Sequence, residues 1–459
     1  MTISNERALS RLEAALGRTI AFSEPSDCAK YAVDGFAPAT VVRPRSVDEA
    51  AEAVRFAGSE KLAMIACGAR TKPGIGMPPA HYDIALDICE LRSVAHYDPG
   101  DLTLSVDAGM TLSAIEHLLA EKNQFLPLAV PFSARATIGG TIASGIDSTL
   151  RQGYGTARDF LIGAEFVNGT GALTKSGGRV VKNVTGYDLH KLLIGSLGTL
   201  AVITRLNFRT FPRPTLRRGF LAAFDDEQGA LSLRQRITGS PLTPALLEIL
   251  SPDASRILFG PESKSGALQV GSGSWHVCVG YEGSAELCER YGRDLSRIAQ
   301  ESAARDRLLI GEQRFALLAE RLREALPLLM QASPLPIVFR FQGLLAETAA
   351  LIRALRSFAA SSWTPSAMLV RSHGVLHLAL LPGVPEESVL KQAAYFWKSV
   401  ESLRGKLDFH ASIQFCPAEW KGELNVWGAP PPGLALMRRV KSAFDPQNIF
   451  APGRFVGGI

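Results

Sequence analysis

Two histidines four residues apart, His373 and His377 in SHGVLHLAL, and two arginines in strand-like surroundings, Arg340 in IVFRF and Arg371 in LVRS, are the side chains best suited to chemistry. The spacing of four puts both imidazoles on one face of a helix or a strand, where either could take a proton. The arginines could hold a carboxylate. A metal needs more ligands than two histidines, and no cluster of carboxylates accompanies them. Two strand histidines satisfied by neighbours, and two rim arginines, are the plainer alternative.

Two glycine-rich stretches suggest a different chemistry. CGARTKPGIG (Cys67 to Gly76) and ATIGGTIASGI (Ala136 to Ile146) read as loops after strands. In such loops unhindered backbone N–H groups can point at an anion, and glycine lets the chain come close to it. Neither stretch carries G-x-G-x-x-G, and G-x-x-x-x-G-K-[ST] occurs nowhere, so neither a Rossmann dinucleotide site nor a P-loop is written here. A third stretch, VVKNVTGYDLHKLLIGSLGTLAVIT (Val180 to Thr204), sets Lys182, Asn183, Asp188 and His190 before small and apolar residues.

The elements that must position these residues alternate strand and helix. TVVR (Thr40 to Arg43) predicts a strand, and Ser46-Val47-Asp48-Glu49 has the spacing of a capping box opening a helix on Val47, Ala50, Ala51 and Val54. LAMIA (Leu62 to Ala66) and LTLSV (Leu102 to Val106) predict strands, and TLSAIEHLLAEKN (Thr111 to Asn123) an amphipathic helix. PRPTLRRG (Pro212 to Gly219) breaks the pattern as a domain boundary. Beyond it LLAERLREALPLLM (Leu317 to Met330) predicts a helix, IVFRF and HLALL (His377 to Leu381) strands, and LALMRRVKSAF (Leu434 to Phe444) a helix stopped by Asp445-Pro446.

Composition narrows the function. At 459 residues two domains are expected. A formal charge of +5, with basic residues scattered among acidic ones, argues against nucleic-acid binding. Six cysteines without a C-x-x-C pair offer no zinc ribbon, disulfide framework or iron–sulfur ligation, and fit buried thiols in a reducing compartment. The N-terminus lacks the apolar core of a signal peptide, and nowhere do eighteen apolar residues run together. A cytoplasmic protein is expected, with peripheral membrane contact through partners left open.

The ordered set VVRPRSVDEAAEAVRFA, TKPGIG, ATIGGTIASG, YGTARDFLIGAEFV, GGRVVKNVTGYDLHKLLIGSLGTLAVIT and FDPQNIFAPGRF resembles the FAD-binding domain of the vanillyl-alcohol oxidase and D-lactate dehydrogenase superfamily. Within it the chain is similar to the FAD-binding subunit of bacterial glycolate oxidase. The resemblance implies an α+β fold: an N-terminal helical segment (1–37), a PCMH-type FAD-binding domain of two subdomains (38–214), a second α+β cap domain (215–430), and a C-terminal segment (431–459) returning to the first domain.

It also implies an FAD-dependent oxidoreductase acting on the CH–OH group of small 2-hydroxy acids such as glycolate; with no histidine in the first phosphate loop the FAD is expected to be non-covalent, and His373 and His377 alone make no metal site. A sister flavoprotein subunit and an iron–sulfur subunit are the implied partners; a stand-alone dehydrogenase and an assembly subunit with a decayed flavin site are the alternatives. By the same resemblance Gly68, Ala69, Arg70, Thr71 and Gly74 face the FAD diphosphate. Pro131, Thr137, Ile138, Gly139, Gly140, Ser144 and Gly145 run along diphosphate and isoalloxazine, Gly186, Tyr187 and Asp188 shape a turn feeding a helix, Gly198 and Val202 meet the adenosine, and Arg454 closes the tail. The chain departs from the family at Ala69 and Arg70, where glycines are usual, at Ala451, usually asparagine, and at Arg205, usually glutamate.

Overall fold

The computed structural model describes residues 11–14, 16–17, 20–179, 186–260, 273–362, 365–371, 374–383 and 387–459. Its first sheet contains β1 (Ala21–Phe22), β2 (Thr40–Val42), β3 (Met64–Cys67) and β4 (Ile84–Asp87) in the order β1-β2-β4-β3, parallel except for β1. The connection from β2 to β3 is helix α1 (Val47–Glu60). Ser46 starts it by accepting the Glu49 N–H at 3.2 Å, and Ala50, Ala53, Val54 and Ala57 bury its inner face. The Glu49 carboxylate caps the N–H of Arg45 rather than that of Ser46, one residue earlier than the box predicts.

A second sheet follows, from β5 (Val94–Asp98), β6 (Thr103–Asp107), a short β7 (Gln124–Phe125), β8 (Leu161–Val167), β9 (Leu173–Gly177), β10 (Val202–Arg209) and β11 (Phe211–Pro212). Five of these strands form an antiparallel sheet in the order β5-β6-β10-β8-β9, while β7 and β11 pair as a ribbon. Between them lie α2 (Leu112–Ala120), capped by Thr111, and α3 (Ile138–Ser144). The sequence predicts a loop at α3. Instead Thr137 caps a short helix by accepting the Gly140 N–H at 3.3 Å, and Gly145 ends it at φ +59°.

The turn after Asp188 does not feed an α-helix. Only a 3₁₀ turn forms at Leu189–Leu192, because Gly195, Leu197 and Gly198 all take left-handed backbone conformations that cannot extend a helix.

The remaining strands are β12 (Leu216–Phe224), β13 (Leu246–Leu250), β14 (Trp275–Gly283), β15 (Asp306–Ile310), β16 (Ile337–Gly343), β17 (Ser366–Arg371), β18 (Val375–Leu380) and β19 (Phe409–Phe415). They make one antiparallel sheet in the order β15-β12-β14-β13-β17-β18-β16-β19. Successive side chains leave opposite faces of a strand. Phe220, Ala222 and Phe224 therefore join the core under the outer helices, whereas Leu221 and Ala223 join the core shared with the first two sheets. Both faces being covered, these strands read as apolar runs rather than alternating ones.

The expected helix across Leu317 to Met330 divides into α4 (Glu312–Arg323) and α5 (Ala325–Gln331). Pro327 accounts for the break: it lacks an N–H and its ring would crowd the carbonyl of Arg323 four residues earlier.

Helix α6 (Leu434–Phe444) leads the tail back to the first sheet. The Met64 N–H donates to the Ile449 carbonyl (2.7 Å), the Ala451 N–H to the Met64 carbonyl (2.8 Å), and the Ala80 N–H to the Pro452 carbonyl (2.8 Å). The edge strand β3 is thereby covered by residues nearly four hundred positions away.

Candidate functional site

A cleft opens between the two sheets of the first domain, enclosing roughly 930 Å³ with its open mouth. One wall is the end of β3 and the loop that follows; the opposite wall is α3 with the start of β10. The two glycine-rich segments therefore share one cavity, and they touch: a Cβ on Gly68 would lie 2.1 Å from Thr137 Oγ1. Gly139 is confined in the same way, since a Cβ there would meet Ala108 Cβ at 2.7 Å, while its N–H donates to the Ala108 carbonyl at 2.8 Å.

Of the residues expected to face a cofactor, Gly68, Ala69, Arg70, Thr71, Thr137, Gly139, Gly140, Ser144, Gly198 and Arg454 line the cleft. Eight others do not, and each has a structural reason. The Gly74 carbonyl is taken by the Lys421 ammonium at 2.6 Å. Pro131 and Ile138 are buried in the packing behind the walls, and Gly145 faces the other side of α3. Val202 is fully buried, paired with Val167 of β8, although its neighbours Ala201 and Ile203 line the cavity. Gly186, Tyr187 and Asp188 stand outside it: Tyr187 is 89% exposed, and Asp188 pairs with Lys191 at 2.6 Å. Lys182 and Asn183 lie outside the described residues.

The charge of the lining is one-sided. Arg70, Lys72 and Arg454 reach it, and among the described residues no aspartate or glutamate does. Arg70 sits at φ +53°, a conformation glycine takes freely, which accounts for the glycine usual in the family. It is held by stacking over the Tyr31 ring (4.1 Å) and by Asp87 (3.5 Å), a partner other than the phosphate expected from sequence. Burial lowers the Lys72 ammonium to about 8, with Glu324 from the cap opposing that shift. Arg454 donates to the carbonyls of Pro73 and Ile75, both at 2.6 Å, which leaves its buried Nε without a partner. Lys72 and Tyr31 were missed in the sequence, the first hidden in the quoted loop and the second in the segment before the expected domain.

The candidate catalytic side chains fare differently. His377 on β18 is closed to solvent; burial first, then the Arg371 charge, lowers its imidazole to about 3. Gln414 approaches the ring, yet neither ring nitrogen completes a hydrogen bond. Arg371 is 1% exposed and donates to the carbonyls of Asp147 (2.8 Å) and Leu322 (3.3 Å), with Glu248 at 3.5 Å. Burial raises Glu248 to about 7 despite that arginine. Both His377 and Arg371 are closed to solvent in this arrangement. Arg340 remains partly exposed at the seam between the domains, bonded to Asp147 (2.7 Å) and Gln342 (3.0 Å). His373 lies outside the described residues. Among the described residues no group of three or more His, Cys, Asp or Glu side chains is arranged to hold a metal ion, and no helix is long and apolar enough to cross a membrane.

Two small sheets gripping a basic cleft, covered by a large antiparallel sheet with its helices, define an α+β PCMH-type flavoprotein. A solved p-cresol methylhydroxylase superposes with a TM-score of 0.75 at 17% identity, over 99% of this chain and 97% of that one. An FAD binding domain model matches residues 38–177, and the model for the C-terminal domain of FAD linked oxidases matches 213–413 and 421–455. The chain belongs to the FAD-linked oxidase family and is an FAD-dependent oxidoreductase. It is similar to glycolate oxidase subunit GlcD of Bacillus subtilis, 25% identical over 91% of this chain and 88% of that protein. It is also similar to glycolate oxidase subunit GlcE of Escherichia coli, 32% identical over 51% of this chain and 61% of that protein.

Proposed function

We propose that the chain holds FAD in the cleft between its first two sheets and serves as the FAD-binding subunit of a glycolate-oxidase-type complex that oxidises small 2-hydroxy acids. The observation that carries this reading is the convergence of both glycine-rich segments on one cavity lined, among the described residues, by three cations and no carboxylate, as suits a diphosphate. Thr71 offers a hydroxyl, the backbone of Gly68–Thr71 close approach, and Arg454 a buried N–H still lacking an acceptor.

Oxidation of a 2-hydroxy acid needs a base for the hydroxyl proton, a cation for the carboxylate and a hydride acceptor. Bound FAD supplies the acceptor. Arg340 is the candidate cation. The base is assigned to a partner subunit, His377 of this chain being closed to solvent. The similarity to two glycolate oxidase subunits supports the same division of labour.

Purification of the chain alone tests the reading. A yellow protein with flavin absorbance bands and no glycolate-dependent reduction of an added dye is expected, with activity appearing when the sister flavoprotein and iron–sulfur subunits are co-produced. A colourless protein would overturn the flavin assignment, and turnover by the lone chain would overturn the subunit assignment.

A further inference from the structure

We infer that a pocket on the outer face of the large antiparallel sheet, sharing no residue with the flavin cleft, binds a singly charged carboxylate that carries an apolar body. Its floor is a row across three strands. Arg218 of β12 stands directly opposite Tyr281 of β14, and the adjoining pair of Gly219 with Ile310 brings the end of β15 alongside. Directly paired residues share a face, so both side chains leave the sheet on the side of Phe220 and Val279, under the outer helices. The helix Ala285–Glu301 roofs the space with Cys288, Gly292 and Ser296, and the whole encloses roughly 870 Å³ with its open mouth.

Three features of this lining point to a ligand. Arg218 is half-buried and has no ion pair or hydrogen bond among the described residues, a costly state for a guanidinium unless an anion completes it. Burial raises both the Tyr281 phenol and the Cys288 thiol, and the Arg218 charge opposes that rise in each, as its place beside them requires. Tyr281 is 2% exposed, yet among the described residues its hydroxyl has no hydrogen-bond partner, where buried tyrosines ordinarily find one. Its ring is held by stacking on Tyr291, with centroids 5.1 Å apart. Gly292 lies inside a helix of 17 residues, where only proline is a poorer choice. A Cβ there would stand 3.3 Å from Leu309 Cδ2 and 3.8 Å from the Tyr281 hydroxyl, so the missing methyl keeps the space before that hydroxyl open.

Charge and shape select the ligand. Arg218 and Arg293 line the pocket against the single carboxylate of Glu289, which leaves a surplus of one positive charge, the match for one carboxylate rather than for a phosphate dianion. A guanidinium takes a carboxylate through two parallel N–H···O bonds, and the Tyr281 O–H can donate a third. Beside these polar groups stand Ile310 and Leu309, the latter 55% exposed on an edge strand, a surface that the body of the ligand would cover.

Binding measured on the purified full chain by thermal shift and calorimetry, with ionic strength held constant by sodium chloride, tests the inference. Hexanoate is the probe. Acetate keeps the carboxylate without the body, hexanamide the body without the charge, and inorganic phosphate adds a second negative charge. Saturable stabilisation by hexanoate is expected, with each of the other three binding about tenfold more weakly or worse. Arg218→Gln should weaken hexanoate about tenfold, the value of one charge-assisted hydrogen bond, and Tyr281→Phe about fivefold, the value of a neutral one. Tyr281→Phe keeps the stacked ring and remains readable should R218Q not fold. Gly292→Ala favours the helix, so it should lower the affinity without lowering stability, a combination that a purely structural glycine would not give. Flavin absorbance should be unchanged in all three variants. Absent hexanoate binding, equal responses to hexanoate and hexanamide or phosphate, or unaltered binding in the Arg218 and Tyr281 variants would overturn the inference while leaving the flavin reading intact. A colourless protein that still binds hexanoate would overturn the flavin reading alone.

Discussion

Gly68 and Thr137 meet where the two walls of the flavin cleft come together, so closely that a methyl group on Gly68 would lie 2.1 Å from the threonine Oγ1 and 2.9 Å from its Cγ2. Gly68→Ala should therefore cost about 1–3 kcal/mol by overpacking and lower the flavin-to-protein ratio. Thr137→Ala removes the oxygen but also the cap of α3, at about 1 kcal/mol. Since both changes act on one contact, G68A/T137A should be less destabilised than the sum of the singles. Urea denaturation and flavin absorbance read both quantities, and strict additivity would show that the walls do not touch as described.

Lys72 makes FAD binding sensitive to pH. With its ammonium lowered to about 8 by burial, the charge offered to a diphosphate is present below that pH and lost above it. The FAD dissociation constant is expected to rise about tenfold between about pH 7 and about pH 9, as one deprotonation requires. Lys72→Met should bind more weakly and without that rise. Fluorescence titration of FAD across the range checks the slope, and a flat wild-type profile would remove Lys72 from the site.

Lys421 anchors the first loop from the far side. Its buried ammonium holds Asp34 (2.8 and 2.9 Å) and the carbonyls of Gly74 (2.6 Å) and Gly76 (3.0 Å). Lys421→Met strands the Asp34 carboxylate and should cost about 3–5 kcal/mol. Adding Asp34→Asn removes the uncompensated charge and should recover part of that loss. Chemical denaturation of the two variants decides it: a double variant no more stable than the single would contradict the pairing.

His377 governs acid stability. Its folded-state value of about 3 lies below the ordinary imidazole value of 6.5, so below about pH 6.5 the unfolded chain takes up a proton that the folded chain refuses. The contribution is fully present above that pH and falls as pH drops toward about 3, reaching a loss of about 2 kcal/mol at about pH 5. His377→Leu should flatten this part of the stability profile. Denaturation midpoints measured at several pH values would show the difference, and parallel profiles would mean that the ring titrates alike in the folded and unfolded chain.

Much of the scaffold is legible in local chemistry. Ser46 and Glu49 mark the start of α1, Asp445-Pro446 the end of α6, and the glycine-rich segments the walls of one cavity, because caps and backbone permissiveness act over a few residues. Features set by distant parts of the chain were not legible. The α3 helix needs the Thr137 cap and its packing on Ala108 to outweigh its glycines. The buried setting of Arg371 depends on Asp147, Glu248 and Leu322, the nearest of them 49 residues away along the chain. A basic pocket at the seam draws Arg151, Lys191 and Arg340 from three separated segments, each unremarkable alone.

The tail's place along β3 orders events during synthesis. Arg454 lies nearly four hundred residues after Gly68, and ribosomes add about 5–20 residues per second, so one wall of the cleft waits roughly half a minute for its last piece. Until then β3 presents a bare edge to whatever crowds the exit tunnel. Completion of the cleft thus waits on the tail, and until the tail docks the edge of β3 stays open to pairing.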